Sequence, residues 1–203
     1  MTERIVGVLL AAGAGTRFGG DKLMHRLADG TPMALAAAGA LRAACPRVVA
    51  GVRPGDEALA RRLAAAGCEP IFCPQAHRGM GHSLAAGVQA TPDADGWLVT
   101  LADMPFIAAD SHRAVLARLH GGASLAAAFY DGRRGHPVGF ARAWFSQLTA
   151  LTGDQGARAI LENNRRQLTL CPVDDPGVTR DIDRPEQLSG AKQAPPPPPS
   201  EPL

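Results

Sequence analysis

Ile5-Val6-Gly7-Val8-Leu9-Leu10-Ala11-Ala12-Gly13-Ala14-Gly15-Thr16-Arg17-Phe18-Gly19-Gly20-Asp21-Lys22-Leu23 is the stretch whose reading decides the fold. Residues 5–10 are apolar at every position over the length of one strand, the pattern of a strand covered on both faces in a parallel sheet. An apolar run after Arg4 and before small residues also fits a short signal peptide. The glycines and cations that follow favour a first strand that opens into a loop. Residues 47–52, 70–73 and 97–101 repeat the apolar pattern. Between these runs lie helical stretches: one with Thr31 as cap and Pro32 at its first position through Ala44, one over 56–66 closed by Gly67, and others over 81–90 and 111–119. Strands alternating with helices predict an α/β fold, with a mainly parallel central sheet and helices on both faces.

The second half is less regular. Residues 124–130 and 136–140 read as strands joined by a turn over 131–135. Helical stretches near 142–150 and 155–163 follow, then a strand near 167–171. No internal repeat is present. The 203 residues, 46% hydrophobic and 20% charged, suit a single domain over 1–190. Residues 191–203, with prolines at 195–199, are expected to form a disordered, solvated tail.

Composition excludes several functions. A net charge of +2 is too balanced for a protein that grips nucleic acid through many phosphates, and nine aromatic residues leave few stacking platforms. Cys45, Cys68, Cys73 and Cys171 lack the two-residue gap of a zinc knuckle or redox pair and are expected to be reduced, mostly buried thiols. The six histidines form no H-E-x-x-H pattern. No apolar run approaches the length of about 18 residues that would span a membrane, so a cytoplasmic protein is expected.

The loop after the first run carries the first candidate chemistry. Gly13 and Gly15 let backbone N–H groups approach an anion, and Arg17 and Lys22 add charge. Neither a Walker loop nor a dinucleotide fingerprint fits, since no Gly-Lys-Ser/Thr follows and Phe18 stands where a third glycine would be needed. Asp103, in Leu101-Ala102-Asp103-Met104-Pro105, lies where a buried parallel strand ends, the place where such sheets face their ligand. It can hold Mg²⁺, which needs only one or two carboxylates beside water and phosphate oxygens. In Asp181-Ile182-Asp183-Arg184-Pro185-Glu186 the acids at i and i+2 reach one metal, or Asp183 caps a helix; the pattern leaves both open. Gly79-Met80-Gly81-His82-Ser83 opens a helix whose free N–H groups could meet a nucleotide, or is a plain capped loop. Arg133-Arg134-Gly135-His136-Pro137 and Gly153-Asp154-Gln155-Gly156-Ala157-Arg158 bring cations to a turn and to a helix start.

In this order, L-A-A-G-A-G-T-R-F-G-G-D-K-L, G-M-G-H-S-L, L-A-D-M-P, R-G-H-P-V, G-D-Q-G-A-R and D-I-D-R-P-E resemble the nucleotidyltransferases that build molybdopterin dinucleotides, over residues 5–188. The resemblance is strongest to the cytidylyl branch, with Ala12 where the guanylyl branch carries Gly. It implies a Rossmann-like, GT-A-like nucleotidyltransferase fold, CTP and a molybdopterin-type cofactor as substrates, Mg²⁺, and release of pyrophosphate. Carried onto this chain, Leu10, Ala11, Ala12, Gly13, Gly15, Arg17 and Lys22 would hold the triphosphate, with Gly79, Gly81 and Ser83 near the base. Arg17, Lys22 and Asp103 would carry the chemistry. Asp103 would ligate metal with Asp183, and Asp181 would stand in reserve. His136, Asp154 and Arg158 would meet the acceptor. Arg184 departs from the Thr usual after the second acid and sets a cation beside the metal position. The implied recipient of the product is a molybdenum hydroxylase of the xanthine dehydrogenase type. The competing expectations are transfer to another phosphorylated acceptor, including by a guanylyltransferase, and a non-catalytic cofactor-delivery chaperone.

Overall fold

Along β1 (Ile5–Ala11) every side chain is buried, and the period-two alternation of a strand sends them to two different cores. Ile5, Leu9 and Ala11 join one cluster, whereas Val6, Val8 and Leu10 join the other. The first core is closed by α1 (Met33–Arg42), α2 (Glu57–Ala65) and α4 (Ala109–His120), through residues such as Leu41, Leu63 and Leu119. The second is closed by α3 (Met80–Gln89), α5 (Phe145–Thr149) and α6 (Arg158–Asn163), through Leu84, Leu148 and Leu161. This two-faced burial is what the all-apolar run of β1 requires. The computed structural model describes residues 4–13, 15, 18 and 20–189. Arg17 and the proline-rich segment 191–203 lie outside them.

The remaining strands are β2 (Val48–Val52), β3 (Glu69–Phe72), β4 (Gly96–Leu101), β5 (Leu125–Tyr130), β6 (Arg133–Ala141) and β7 (Leu168–Pro172). They form one sheet in the order β3-β2-β1-β4-β6-β5-β7. β6 pairs antiparallel with β4 and β5, while every other pairing is parallel. The mainly parallel sheet with helices on both faces is therefore present. A last helix, α7 (Glu186–Ser189), follows the loop that carries Asp183.

Three local expectations need correction. The cap of α1 is Pro32 rather than Thr31, whose N–H instead donates to the Asp29 carboxylate at 2.8 Å. The turn after β5 is only Asp131-Gly132, both at positive φ, so Arg133 to Gly135 belong to the strand. Asp-Gly is the dipeptide of a tight hairpin whose twist matches its strands. β3 is not covered on both faces, because it forms a sheet edge and leaves Phe72 48% exposed. The four cysteines are free and buried, and burial alone pushes the Cys45 thiol up to about 12. Among the described residues no helix is long and apolar enough to cross a membrane.

Candidate active site

The strand order fixes where a ligand can bind. From β1 the chain runs outward through β2 and β3, then returns to place β4 on the other side of β1. The carboxyl ends of β1 and β4, paired as far as Leu10 and Leu101, therefore flank the switch point at which open α/β sheets form their crevice. The loop bearing Gly13 and Gly15 leaves from one of these ends, and the loop bearing Asp103 leaves from the other.

Three charged side chains from separate segments meet there. Lys22 begins a 3-10 turn (Lys22–Met24) and is only 7% exposed. Its ammonium donates to Asp103 Oδ2 at 2.9 Å and to Asp183 Oδ1 at 3.0 Å. Burial pulls the ammonium pKa down, but the hydrogen bonds and charges of Asp103 and Asp183 outweigh it and hold the group above the usual lysine value. Asp183 is brought in by its neighbour Ile182, which is fully buried against Phe18 and Met33, and by an Ile182 N–H bond to the Asp103 carbonyl at 3.0 Å. At the start of α7, Gln187 Oε1 accepts from the Asp183 and Arg184 N–H groups, at 2.7 Å each. Asp181 is exposed, and its charge is felt at His136. Arg184 is exposed.

The pair of acids fits a divalent ion. Asp103 Oδ1 is buried and has no hydrogen-bond partner among the described residues, and the two carboxylates already converge on one cationic centre. Among the described residues no three His, Cys, Asp or Glu side chains gather into a closed metal cage. Two carboxylates are enough for an ion whose other ligands are water and phosphate oxygens.

A cleft of about 570 Å³ opens beside this cluster, lined by Leu10, Ala12, Gly13, Gly79, Ser83 and Asp103 among others. Three amides at the start of α3 are already engaged within the protein. The Gly79 N–H donates to Ala76, the Gly81 N–H to the Gly153 carbonyl at 2.8 Å, and the His82 N–H to Gly79. Gly79, at φ 122°, and Gly81 are required because the 152–154 loop passes against their backbone. A Cβ at Gly79 would collide with Gly153, and one at Gly81 would lie 2.6 Å from the Thr152 carbonyl oxygen. That contact delivers Asp154 into the same cleft rather than to the His136 region.

A second cavity of about 230 Å³ shares Leu10 and Met80 with the first and is lined by Arg134, Gly135, His136 and Arg158. His136 and Arg158 are thus brought together, although 22 positions separate them in the sequence. His136 Nδ1 lies 3.4 Å from the Val99 carbonyl, which can only accept, so that nitrogen carries the proton. Desolvation holds the ring's pKa below the ordinary histidine value and keeps it neutral. Arg158 is 69% exposed and pairs with Glu162 at 2.6 Å. Sequence reasoning missed Arg53 and His77 on the far wall of the larger cleft. The position of Arg53 just beyond β2 would have signalled it once β2 was known to adjoin β1.

Comparison with known proteins agrees with this geometry. Residues 7–169 match the MobA-like NTP transferase domain. The chain is 31% identical to nicotine blue oxidoreductase of Paenarthrobacter nicotinovorans over 196 residues, covering 91% of this chain and 94% of that protein. It is 29% identical to the purine catabolism protein PucB of Bacillus subtilis (strain 168) over 201 residues, covering 94% and 97%. Rv0371c from Mycobacterium tuberculosis H37Rv superposes with a TM-score of 0.82 at 25% identity, over 93% of this chain and 97% of that one. The same protein has also been solved in complex with manganese. The chain belongs to the MobA-like NTP transferase family and is a nucleotidyltransferase.

Proposed function

We propose that this chain transfers CMP from CTP to the terminal phosphate of a molybdopterin-type cofactor, giving the cytosine dinucleotide and pyrophosphate. The observation that carries the reading is the Lys22–Asp103–Asp183 cluster at the β1/β4 switch point, beside a large cleft that adjoins a smaller one. CTP would occupy the larger cleft and the pterin phosphate would enter from the side of His136 and Arg158. An oxygen of that phosphate forms a new bond to the α-phosphorus, and the bond from that phosphorus to the pyrophosphate oxygen breaks. The nucleophile needs no base, because a phosphate monoester with a second pKa of about 6 is already ionised at pH 7. The protein's task is to align two polyanions and offset their repulsion.

Lys22, held cationic by its two carboxylates, and Arg17 would take charge on the leaving pyrophosphate. Asp103 and Asp183 would hold Mg²⁺, which when bound supplies positive charge to the triphosphate oxygens. The manganese complex of the mycobacterial neighbour supports a divalent ion in this fold. Ala12, 8% exposed on the wall of the larger cleft, supports a cytosine over a guanine base on the strength of its one methyl group. The name of the Bacillus relative, a purine catabolism protein, supports a recipient of the xanthine dehydrogenase type.

The test is pyrophosphate release from each of the four nucleoside triphosphates with Mg²⁺, with and without a phosphorylated pterin. Release from CTP that depends on the pterin is expected. Release from GTP in preference to CTP, or equal release with a sugar phosphate as acceptor, would overturn the assignment.

A further inference from the structure

Asp103 and Asp183 arrive at Lys22 on two loops that have no sequence proximity, so their separation depends on what ties those loops together. The Asp103 loop runs from the end of β4 into α4. The Asp183 segment follows β7 through a 3-10 turn (Pro176–Thr179). Asp175, only 8% exposed, stands between them. Its Oδ2 accepts from the Ala108 N–H at 2.8 Å and from the Ser111 hydroxyl at 2.6 Å, at the amino end of α4. Its Oδ1 accepts from the Gly177 N–H at 2.9 Å and so starts the turn that leads on to Asp183. Three donors on one buried carboxylate form charge-assisted bonds, and the amino end of a helix favours the negative charge. The two segments are in close backbone contact here, since a Cβ at Gly177 would collide with the Phe106 carbonyl. Arg180 adds a further tie, 5.1 Å over the Phe106 ring. From the other side, buried His112 on α4 bonds Thr100 of β4 at 3.0 Å.

We propose that Asp175 is a positioning residue for nucleotidyl transfer: it clamps the 175–183 segment onto the loop after Asp103 and thereby sets the distance between Asp103 and Asp183. The inference rests on the reading of those two acids as metal ligands. Asp175 bonds Ala108, Ser111 and Gly177 and acts through the segments it joins.

The test is Mn²⁺ binding followed by electron paramagnetic resonance on the full chain, alongside the metal dependence of turnover. Asp175→Asn keeps the side-chain shape but turns an NH₂ group toward one set of donors. Groups that hold metal ligands in place typically contribute about tenfold or more to affinity, and a rise of that size in the Mn²⁺ dissociation constant is expected. Turnover should recover most of its wild-type rate at saturating metal. Leu63→Ala, in α2 and remote from both loops, serves as the control for lost stability: it should lower Tm and leave Mn²⁺ affinity unchanged. Should Asp175→Asn fold poorly, Ser111→Ala removes one of the three bonds and should give a smaller shift in the same direction. Wild-type Mn²⁺ affinity in Asp175→Asn, or an equal loss in Leu63→Ala, overturns the clamp. Asp103→Asn tests the underlying reading separately. If it abolishes Mn²⁺ binding while Asp175→Asn does not alter it, only the clamp fails; if it too binds normally, the metal reading fails.

Discussion

Lys22→Met keeps most of the buried stem and deletes the charge that joins Asp103 to Asp183. The ammonium makes two bonds to carboxylates that are 27% and 38% exposed. Hydrogen bonds to charged groups contribute about 1.5–3 kcal/mol each, and partial hydration of both acids places them at the low end of that range. Both carboxylate oxygens lie about 3 Å from one nitrogen, hence within about 6 Å of each other, where uncompensated repulsion is on the order of 3 kcal/mol at an effective dielectric constant of 20. Hydration screens part of that repulsion, so a net loss of about 3 kcal/mol at pH 7 is expected in the presence of a chelator. For a domain of this size that corresponds to a fall in Tm of about 6–12 °C. Thermal denaturation in EDTA reads the loss directly. Excess Mg²⁺ should restore part of it, because an ion bound only by the folded state stabilises it. Turnover should fall by about 10²–10³, the usual effect of removing one preorganised group that stabilises leaving charge. A Tm in EDTA equal to that of the wild type, or one that Mg²⁺ does not raise, would refute the reasoning.

Two further outcomes follow from other parts of the site. His112 is fully buried with its pKa lowered to about 4, mainly by desolvation, against an ordinary value of 6.5. The folded state therefore binds fewer protons than the unfolded state between these values, and stability must fall as pH drops through that window, by about 3 kcal/mol in all. Urea unfolding at pH 7 and pH 5 should show the fall, and His112→Gln, which cannot take up the proton, should flatten the slope; an unchanged slope would count against this histidine. Gly79→Ala places a Cβ against Gly153 at a φ of 122° and must push the 152–154 loop outward, at a strain cost of about 1–3 kcal/mol. Nucleotide affinity measured by calorimetry should drop by about tenfold with little change in the rate at saturation.

The sequence carried the architecture where the signal was local and repeated. The all-apolar run at 5–10 and the run at 97–101, broken only by Thr100, announced buried parallel strands, and an acid just past the second of them announced the mouth of the crevice. Lys22 and Asp183 were legible for a similar reason, each lying in a short motif dense in charged or glycine residues. What could not be read was pairing across the chain. Asp175 is a single acid in an unremarkable loop, and only folding places it on Ala108 and Ser111, more than 60 positions away. His112 sits within the pattern of an amphipathic helix, and nothing in that pattern announces its bond to Thr100. The glycines at 79 and 81 read as a helix opening toward a nucleotide or as a capped loop, and nothing in the sequence showed that the 152–154 loop would pass against their backbone.

The central claim is that the acids at 103 and 183 hold a divalent ion where Lys22 meets the triphosphate. Anomalous scattering from crystals grown with CTP and Mn²⁺ tests it most directly. The account predicts a manganese peak within coordinating distance of Asp103 Oδ1 and of the Asp183 carboxylate, with CTP phosphates beside it and Lys22 turned toward them. A peak elsewhere, with CTP lying away from these three side chains, would contradict it.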